Sequence, residues 1–201
     1  MTPRPLDGGR GPLRLVLATS AAMATLGNWP LWQALADLGL LQTAQGWGLA
    51  VALALAVFGA LVALQSLLAW RWTLKPVAVF LLLAAAAGAH FMGAYRIVID
   101  PTMLVNVLQT NPGEAADLFS LRMAGTLVLG GLLPAWLVWR TPVQQARWPR
   151  QLGRNLLATV AGLALVVAAV LASFQPLSST MRNHKQLRYL INPLNSVYAL
   201  G

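Results

Sequence analysis

WGLAVALALAVFGALVALQSLLAW, the segment from Trp47 to Trp70, is the stretch that decides the fold class of this chain. It contains no charged residue, and a helix needs about 20 residues to cross the hydrocarbon core of a bilayer. The whole chain of 201 residues is 58% hydrophobic and 9% charged, with a mean hydropathy of +0.65. A soluble domain needs more charge to cover its surface. We therefore predict that a lipid bilayer is the solvent for most of the chain.

Five apolar runs of this kind predict an all-α, polytopic membrane protein with five transmembrane helices. They cover about residues 13–35, 47–70, 76–95, 121–139 and 155–174. Pro30 predicts a kink or an end in the first run. An alternative for this run is a signal peptide, because Arg10 and Arg14 precede it and Ala22-Met23-Ala24 resembles a cleavage site. The multi-span pattern that follows favours an uncleaved first span.

The distribution of basic residues predicts the orientation in the membrane. With the N-terminus in the cytoplasm, the inner segments hold nine of the 14 Lys and Arg residues and the outer segments hold five. This positive-inside bias places the N-terminus inside, the C-terminus outside and the loop over residues 96–120 on the outer side. The net charge of +9 is explained by topology and lipid phosphates, so no nucleic-acid partner is predicted.

The outer loop contains an unusual share of the polar residues, including three of the five acidic side chains: Asp100, Glu114 and Asp117. Asp100 followed by Pro101 is typical of a helix start, so Asp100 is better explained as a cap than as a catalyst. Residues 102–110 predict an amphipathic helix that lies along the membrane surface. Asn111-Pro112 predicts the start of a second periplasmic interfacial helix.

The candidate substrate-binding residues are Asn106, Thr110, Glu114 and, more weakly, Gln109 and His90. Asn106 and Thr110 lie one turn apart on the polar face of the predicted helix and could bind an amine, a phosphate or a glycerol ester, although a solvated surface has the same spacing. Glu114 occupies the capping-box position after Asn111, which is an equally good explanation. His90 lies inside the third span, where an ionisable group is either functional or a neutral imidazole bonded to a neighbouring helix.

The chain divides into a transmembrane domain over residues 1–177 and a basic segment over 178–201. Residues 178–191 predict an interfacial helix in which Arg182, Lys185 and Arg188 recur at spacings of three, with Ser178 to Thr180 as caps. Asn192-Pro193 ends this helix, and a linker is expected to follow. The chain has no cysteine and two histidines, so no metal site and no cofactor are predicted within it.

The loop sequence YRIVIDPTMLVNVLQTNPGEAADL and the later RNHKQLRYLINPLN resemble the bacterial lipid A phosphoethanolamine transferases, which include the colistin-resistance enzymes. The first block carries Asn106-Val107-Leu108-Gln109-Thr110 and Glu114-Ala115. The resemblance implies a five-helix inner-membrane domain, a linker and a periplasmic catalytic domain of the alkaline phosphatase type. It also implies that Asn106, Thr110 and Glu114 help to bind the lipid substrate.

The same resemblance implies a reaction and its partners. Phosphoethanolamine is taken from phosphatidylethanolamine by a threonine nucleophile at a zinc site and passes to a lipid A phosphate, which confers polymyxin resistance. The nucleophile and the zinc ligands belong to the covalently linked catalytic domain, which these 201 residues do not include. We therefore expect no catalysis from this chain alone, which would be the anchoring and substrate-presenting half of the enzyme or a truncated product. Two alternatives stay open: a non-enzymatic transporter-like protein or assembly partner, and a relative that modifies another glycan acceptor.

Overall fold

The computed structural model describes residues 11–95, 120–144 and 146–195, and they form a helical bundle. The α-helices are Pro12–Thr25 (α1), Trp29–Asp37 (α2), Ala44–Leu67 (α3), Leu74–Tyr95 (α4), Leu121–Leu127 (α5), Leu133–Arg140 (α6), Trp148–Ala172 (α7) and Phe174–Asn183 (α8). Short 3₁₀ helices cover Leu26–Asn28, Leu40–Gln42 and Lys185–Leu190, and the π-helical turn Val128–Leu132 joins α5 to α6. These described residues contain no β-strand, which confirms the all-α prediction.

Four helical stretches in the described part of the chain are long and apolar enough to cross a membrane. They are Ala44–Leu67, Leu74–Ala94, Leu121–Arg140 and Trp148–Ala172. Many of their large apolar side chains are exposed, among them Leu157 and Leu171 of α7 and Leu129 of the π-helical turn. Apolar surface of this extent is stable when lipid rather than water covers it. The chain is therefore built as a membrane protein.

The predicted first span over residues 13–35 forms two helices, so the run is interrupted as Pro30 predicted, although the break lies just before Pro30. Helix α1 ends at Thr25 and α2 begins at Trp29, with a 3₁₀ turn between them. Pro30 lies in the first turn of α2, where a missing backbone N–H breaks no helical hydrogen bond. The carbonyl of Thr25 accepts a hydrogen bond of 2.8 Å from the Trp32 indole. The count of five spanning helices is consequently approximate.

The prediction of a single interfacial helix over residues 178–191 is wrong about where the helix begins and about its continuity. Helix α8 begins at Phe174, so Ser178 to Thr180, the predicted caps, lie inside it. The predicted domain boundary after residue 177 also lies inside α8. The helix ends at Asn183, and a 3₁₀ helix follows from Lys185 to Leu190, here termed the terminal 3₁₀ helix. The change of direction allows Leu187 to be fully buried against apolar residues of α2 and α3.

Helices α3 and α7 pack with their backbones in close contact. A Cβ atom added to Gly59 would lie 2.6 Å from the carbonyl oxygen of Gly162, and one added to Gly162 would lie 2.6 Å from that of Gly59. Small residues allow such approach between helices in lipid, where packing rather than the hydrophobic effect drives association. These two glycines therefore fix the spacing of the long helices.

Buried polar side chains fix the register between other helices. The Thr19 hydroxyl of α1 donates to Gln65 Oε1 of α3 at 2.9 Å, and Gln65 Nε2 donates to the Ser20 hydroxyl at 2.8 Å. Asn155 Nδ2 of α7 donates to the carbonyl of Ala69 at 3.1 Å. Such bonds contribute about 0.6–2 kcal/mol each in membrane bundles. They specify one arrangement among several that apolar packing would allow.

Candidate functional site

A cavity of about 470 Å³ opens at the end of the bundle where α2, the C-terminal end of α4 and the terminal 3₁₀ helix meet. We term it the end cavity. Its described lining residues are Pro30, Gln33, Ala34, Ala36, Asp37, Met92, Gly93, Gln186 and Leu190. A recess of this size, whose wall is polar and apolar in nearly equal measure, has the character of a site for a small molecule or a lipid head group.

Asp37 gives the end cavity its charge. It is the only acidic residue within the described ranges, and it lies at the C-terminal end of α2. Gln33, one turn earlier on the same helix, and Gln186 of the terminal 3₁₀ helix add two carboxamides to the wall. A carboxylate accepts hydrogen bonds through two oxygens, and each carboxamide both donates and accepts. This set suits a ligand that carries a cationic donor beside neutral or anionic oxygens.

Two buried asparagines hold the wall that the terminal 3₁₀ helix contributes. Asn28 and Asn192 are both 0% exposed. Asn28 Oδ1 accepts from the backbone N–H of Asn192 at 2.9 Å, and Asn28 Nδ2 donates to the carbonyl of Asn192 at 2.5 Å and to that of Met23 at 2.8 Å. A side chain from the break between α1 and α2 thus pairs with both backbone groups of a residue 164 positions later.

The Asn192 side chain completes this arrangement, which we term the asparagine latch. Its Nδ2 donates to the carbonyls of Gly27 at 2.9 Å and Ala85 at 2.6 Å. A Cβ atom added to Gly88 of α4 would lie 2.5 Å from Asn192 Oδ1, so α4 admits the amide only because residue 88 is glycine. The latch holds Asn192 in the bundle, two residues after Leu190 of the cavity wall.

The structure describes one of the five predicted site residues, His90. Asn106, Gln109, Thr110 and Glu114 lie outside the described residues, so their predicted role is not tested. His90 is buried in α4 at 5% exposure, and its ring meets that of Phe91 edge to face at 5.6 Å. His90 does not belong to the described lining of the end cavity, and its functional role stays a prediction.

Sequence reasoning missed Asp37 and the latch. Asp37 ends a short helix in a segment far from the acidic loop, and such a residue is ordinarily a solvated helix end. Asn28 was the available signal, since a polar residue within an apolar run needs a buried partner. Within the described ranges, no group of three or more His, Asp or Glu side chains could hold a metal ion.

Comparisons with known proteins agree on one family. A family model described as phosphoethanolamine transferase EptA/EptB matches residues 57–201. Among curated proteins, phosphatidylethanolamine transferase Mcr-1 of Escherichia coli is 36% identical over 159 residues, which cover 79% of this chain and 29% of Mcr-1. Phosphoethanolamine transferase EptA of Escherichia coli (strain K12) is 33% identical over 138 residues, which cover 67% of this chain and 25% of EptA. The chain therefore spans less than a third of the length of these relatives.

A solved structure has the same fold. The integral membrane protein lipooligosaccharide phosphoethanolamine transferase A from Neisseria meningitidis superposes with a TM-score of 0.86 at 21% sequence identity. The match covers 96% of this chain and 35% of that protein. At this identity the likeness supports the fold, that is, the overall arrangement of the helices.

Proposed function

Because the chain belongs to the EptA/EptB phosphoethanolamine transferase family, we propose that it anchors such an enzyme in the membrane and presents its lipid substrate. The full protein would move phosphoethanolamine from phosphatidylethanolamine to lipid A and so confer polymyxin resistance. The family match over residues 57–201 carries this proposal. The end cavity supports it, since its carboxylate and carboxamides suit a zwitterionic head group.

The physical advantage of a membrane domain in this reaction is proximity. Donor and acceptor are both lipids, so a catalytic domain held at the bilayer surface meets them by local diffusion along the membrane. We propose that Asn106, Thr110 and Glu114, with weaker contributions from Gln109 and His90, bind the donor head group. The asparagine latch would then set the point from which the linked catalytic domain extends, since Asn192 is hydrogen-bonded to α4 and to the 3₁₀ turn between α1 and α2.

The transfer itself is assigned to a covalently linked periplasmic domain beyond this chain. The proposal is supported by the coverage of 29% of Mcr-1 and 25% of EptA, which leaves most of each relative unmatched. Phosphoryl transfer needs an activated nucleophile and compensation of the developing negative charge. Zinc bound in that domain would supply this compensation. The 201 residues alone should therefore bind lipid without transferring phosphoethanolamine.

A chimera tests the proposed function. Residues 1–201 replace the matched N-terminal part of Escherichia coli Mcr-1, and lipid A from cells that express the chimera is analysed by mass spectrometry. We expect lipid A to gain one phosphoethanolamine unit, while cells expressing residues 1–201 alone show unmodified lipid A. A chimera that inserts into the membrane and leaves lipid A unchanged contradicts the proposal. Phosphoethanolamine found on a core sugar instead would identify a relative with another glycan acceptor.

The proposed location is the bacterial inner membrane, with the N-terminus cytoplasmic and the end cavity periplasmic. The chain has no cysteine, so single-cysteine variants report topology without background. In intact spheroplasts, a membrane-impermeant maleimide should label Gln186→Cys at the cavity and should label Arg147→Cys before α7 only after permeabilisation. Both positions are exposed, which makes them matched reporters. Labelling of Arg147→Cys alone in intact spheroplasts would reverse the proposed orientation.

A further inference from the structure

Helix α2 also lines a second recess, which shares two lining residues with the end cavity. This recess, termed the tryptophan groove, has a volume of about 380 Å³ and is lined by Trp29, Trp32, Gln33, Ala36, Leu41, Trp47 and Ala50. Gln33 and Ala36 line both spaces. One nine-residue helix therefore has a polar recess on one flank and an apolar recess on the other, with shared residues between them.

The chemistry of the two recesses differs in the way that the two parts of a phospholipid differ. The polar groups of the end cavity include one carboxylate, and no Lys, Arg or His is found among its described lining residues. The tryptophan groove is lined by three indoles and four other residues, of which only Gln33 is polar. Trp29 and Trp47 are both more than half exposed. Indole rings favour the level of the lipid head groups, where an acyl chain enters the hydrocarbon.

We propose that α2 carries a binding site for one phospholipid with a primary-amine head group. The ammonium group lies against Asp37 and the carboxamides of Gln33 and Gln186 in the end cavity, and an acyl chain lies in the tryptophan groove. A carboxylate has room for several donors, so the ammonium can share Asp37 with the partners that this side chain already has. Asp37 is the residue that selects the head group in this site.

The inference deepens the proposed function and rests on it for the identity of the lipid. Met92 and Gly93 line the end cavity within one turn of the end of α4, and the chain continues from there toward residues 96–119. A lipid head bound by Asp37 would therefore lie beside the last turn of α4, which directly precedes residues 96–119 in the sequence. The structure assigns to Asp37, a residue outside the loop and the latch, the discrimination between amine-headed and anionic lipids.

Photolabelling tests this site. The chain is reconstituted in phosphatidylcholine nanodiscs with phosphatidylethanolamine that carries a diazirine near the start of one acyl chain, and labelled peptides are mapped by mass spectrometry. We expect the label between Trp29 and Trp47, and we expect unlabelled phosphatidylethanolamine to compete better than phosphatidylglycerol. Asp37→Asn should weaken competition by phosphatidylethanolamine about fivefold, with no change for phosphatidylglycerol. Asp37→Glu should retain most of the preference.

Trp47→Ala is the variant for the groove, and Trp72→Ala is its matched control. Trp72 is 80% exposed and lies in the turn between α3 and α4, at the opposite end of both helices from the cavity. Trp47→Ala should reduce labelling for every head group alike, whereas Trp72→Ala should leave it unchanged. Labels that fall mainly on α7 would overturn the inference. An Asp37→Asn variant in which competition by phosphatidylethanolamine and by phosphatidylglycerol weakens equally would also overturn it. If the chimera still modifies lipid A in that case, the proposed function survives without this site.

Discussion

Asn28→Leu is expected to destabilise the folded bundle by about 3 kcal/mol, because it leaves buried backbone groups without hydrogen-bond partners. The backbone N–H and C=O of Asn192 both lose the Asn28 side chain, and the carbonyl of Met23 loses a donor. Leucine branches at Cγ as asparagine does but has a larger volume, so overpacking at this fully buried position adds to the loss of hydrogen bonds. Thermal unfolding of the detergent-solubilised chain measures the destabilisation.

Two further variants separate the parts of the latch. Asn28→Asp keeps the oxygen that accepts from the Asn192 N–H and loses the Nδ2 donor, so its effect should be distinct from that of Asn28→Leu. Asn183→Leu, at an exposed position of α8, is the matched control and should leave the unfolding midpoint unchanged. Limited proteolysis should cut the terminal 3₁₀ helix faster in Asn28→Leu. Equal midpoints for Asn28→Leu and Asn183→Leu would show that the latch contributes nothing.

The helical class of this protein can be predicted from its sequence because a bilayer leaves the backbone few options. In lipid each buried N–H and C=O must be paired within the protein, which favours helices wherever a long apolar run occurs. The stretch from Trp47 to Trp70 accordingly corresponds to α3, and residues 121–139 lie within the α5 to α6 stretch. Local composition alone contains this information.

The break between α1 and α2 could not be predicted in the same way, because distant residues stabilise it. The residues from Leu26 to Asn28 leave the α-helix, and the Trp32 indole and the backbone of Asn192 supply partners for this turn. Pro30 predicted a kink or an end of the helix near this position. The partner of Asn28 is 164 residues away, so no window of sequence around Pro30 contains the reason for the break.

The end cavity was unpredictable for a related reason. Asp37 and Gln186 line the same recess although 149 positions separate them (186 − 37). They meet because Leu187 is buried against Leu31 and Leu35 of α2, which brings the terminal 3₁₀ helix onto that helix. An amphipathic interpretation of residues 178–191 places Leu187 in lipid, and the bundle buries it instead. The candidate loop residues came from local pattern and resemblance, so the sequence revealed one part of the site only.

The largest functional effect is expected from Glu114 in the chimera with Mcr-1. Glu114→Gln should reduce phosphoethanolamine transfer to lipid A at least about tenfold, if the carboxylate binds the donor through a charge-assisted hydrogen bond. Glutamine keeps the capping-box bond that glutamate can make after Asn111. The substitution therefore removes the charge and preserves the local helix start, which separates the two explanations that the sequence allows for this residue.

Matched variants decide how this result is interpreted. Asn106→Ala and Thr110→Ala should also lower transfer, since both remove a hydrogen-bonding group from the predicted polar face. Asp117→Asn removes a carboxylate from the same loop and should leave transfer near the level of the unmodified chimera. Quantitative lipid A mass spectrometry, with membrane levels of each chimera measured alongside, provides the readout.

Full transfer by Glu114→Gln together with reduced transfer by Glu114→Ala would assign Glu114 to helix capping. Full transfer by the Asn106, Thr110 and Glu114 variants alike would remove the loop from the substrate site and leave the end cavity as its candidate.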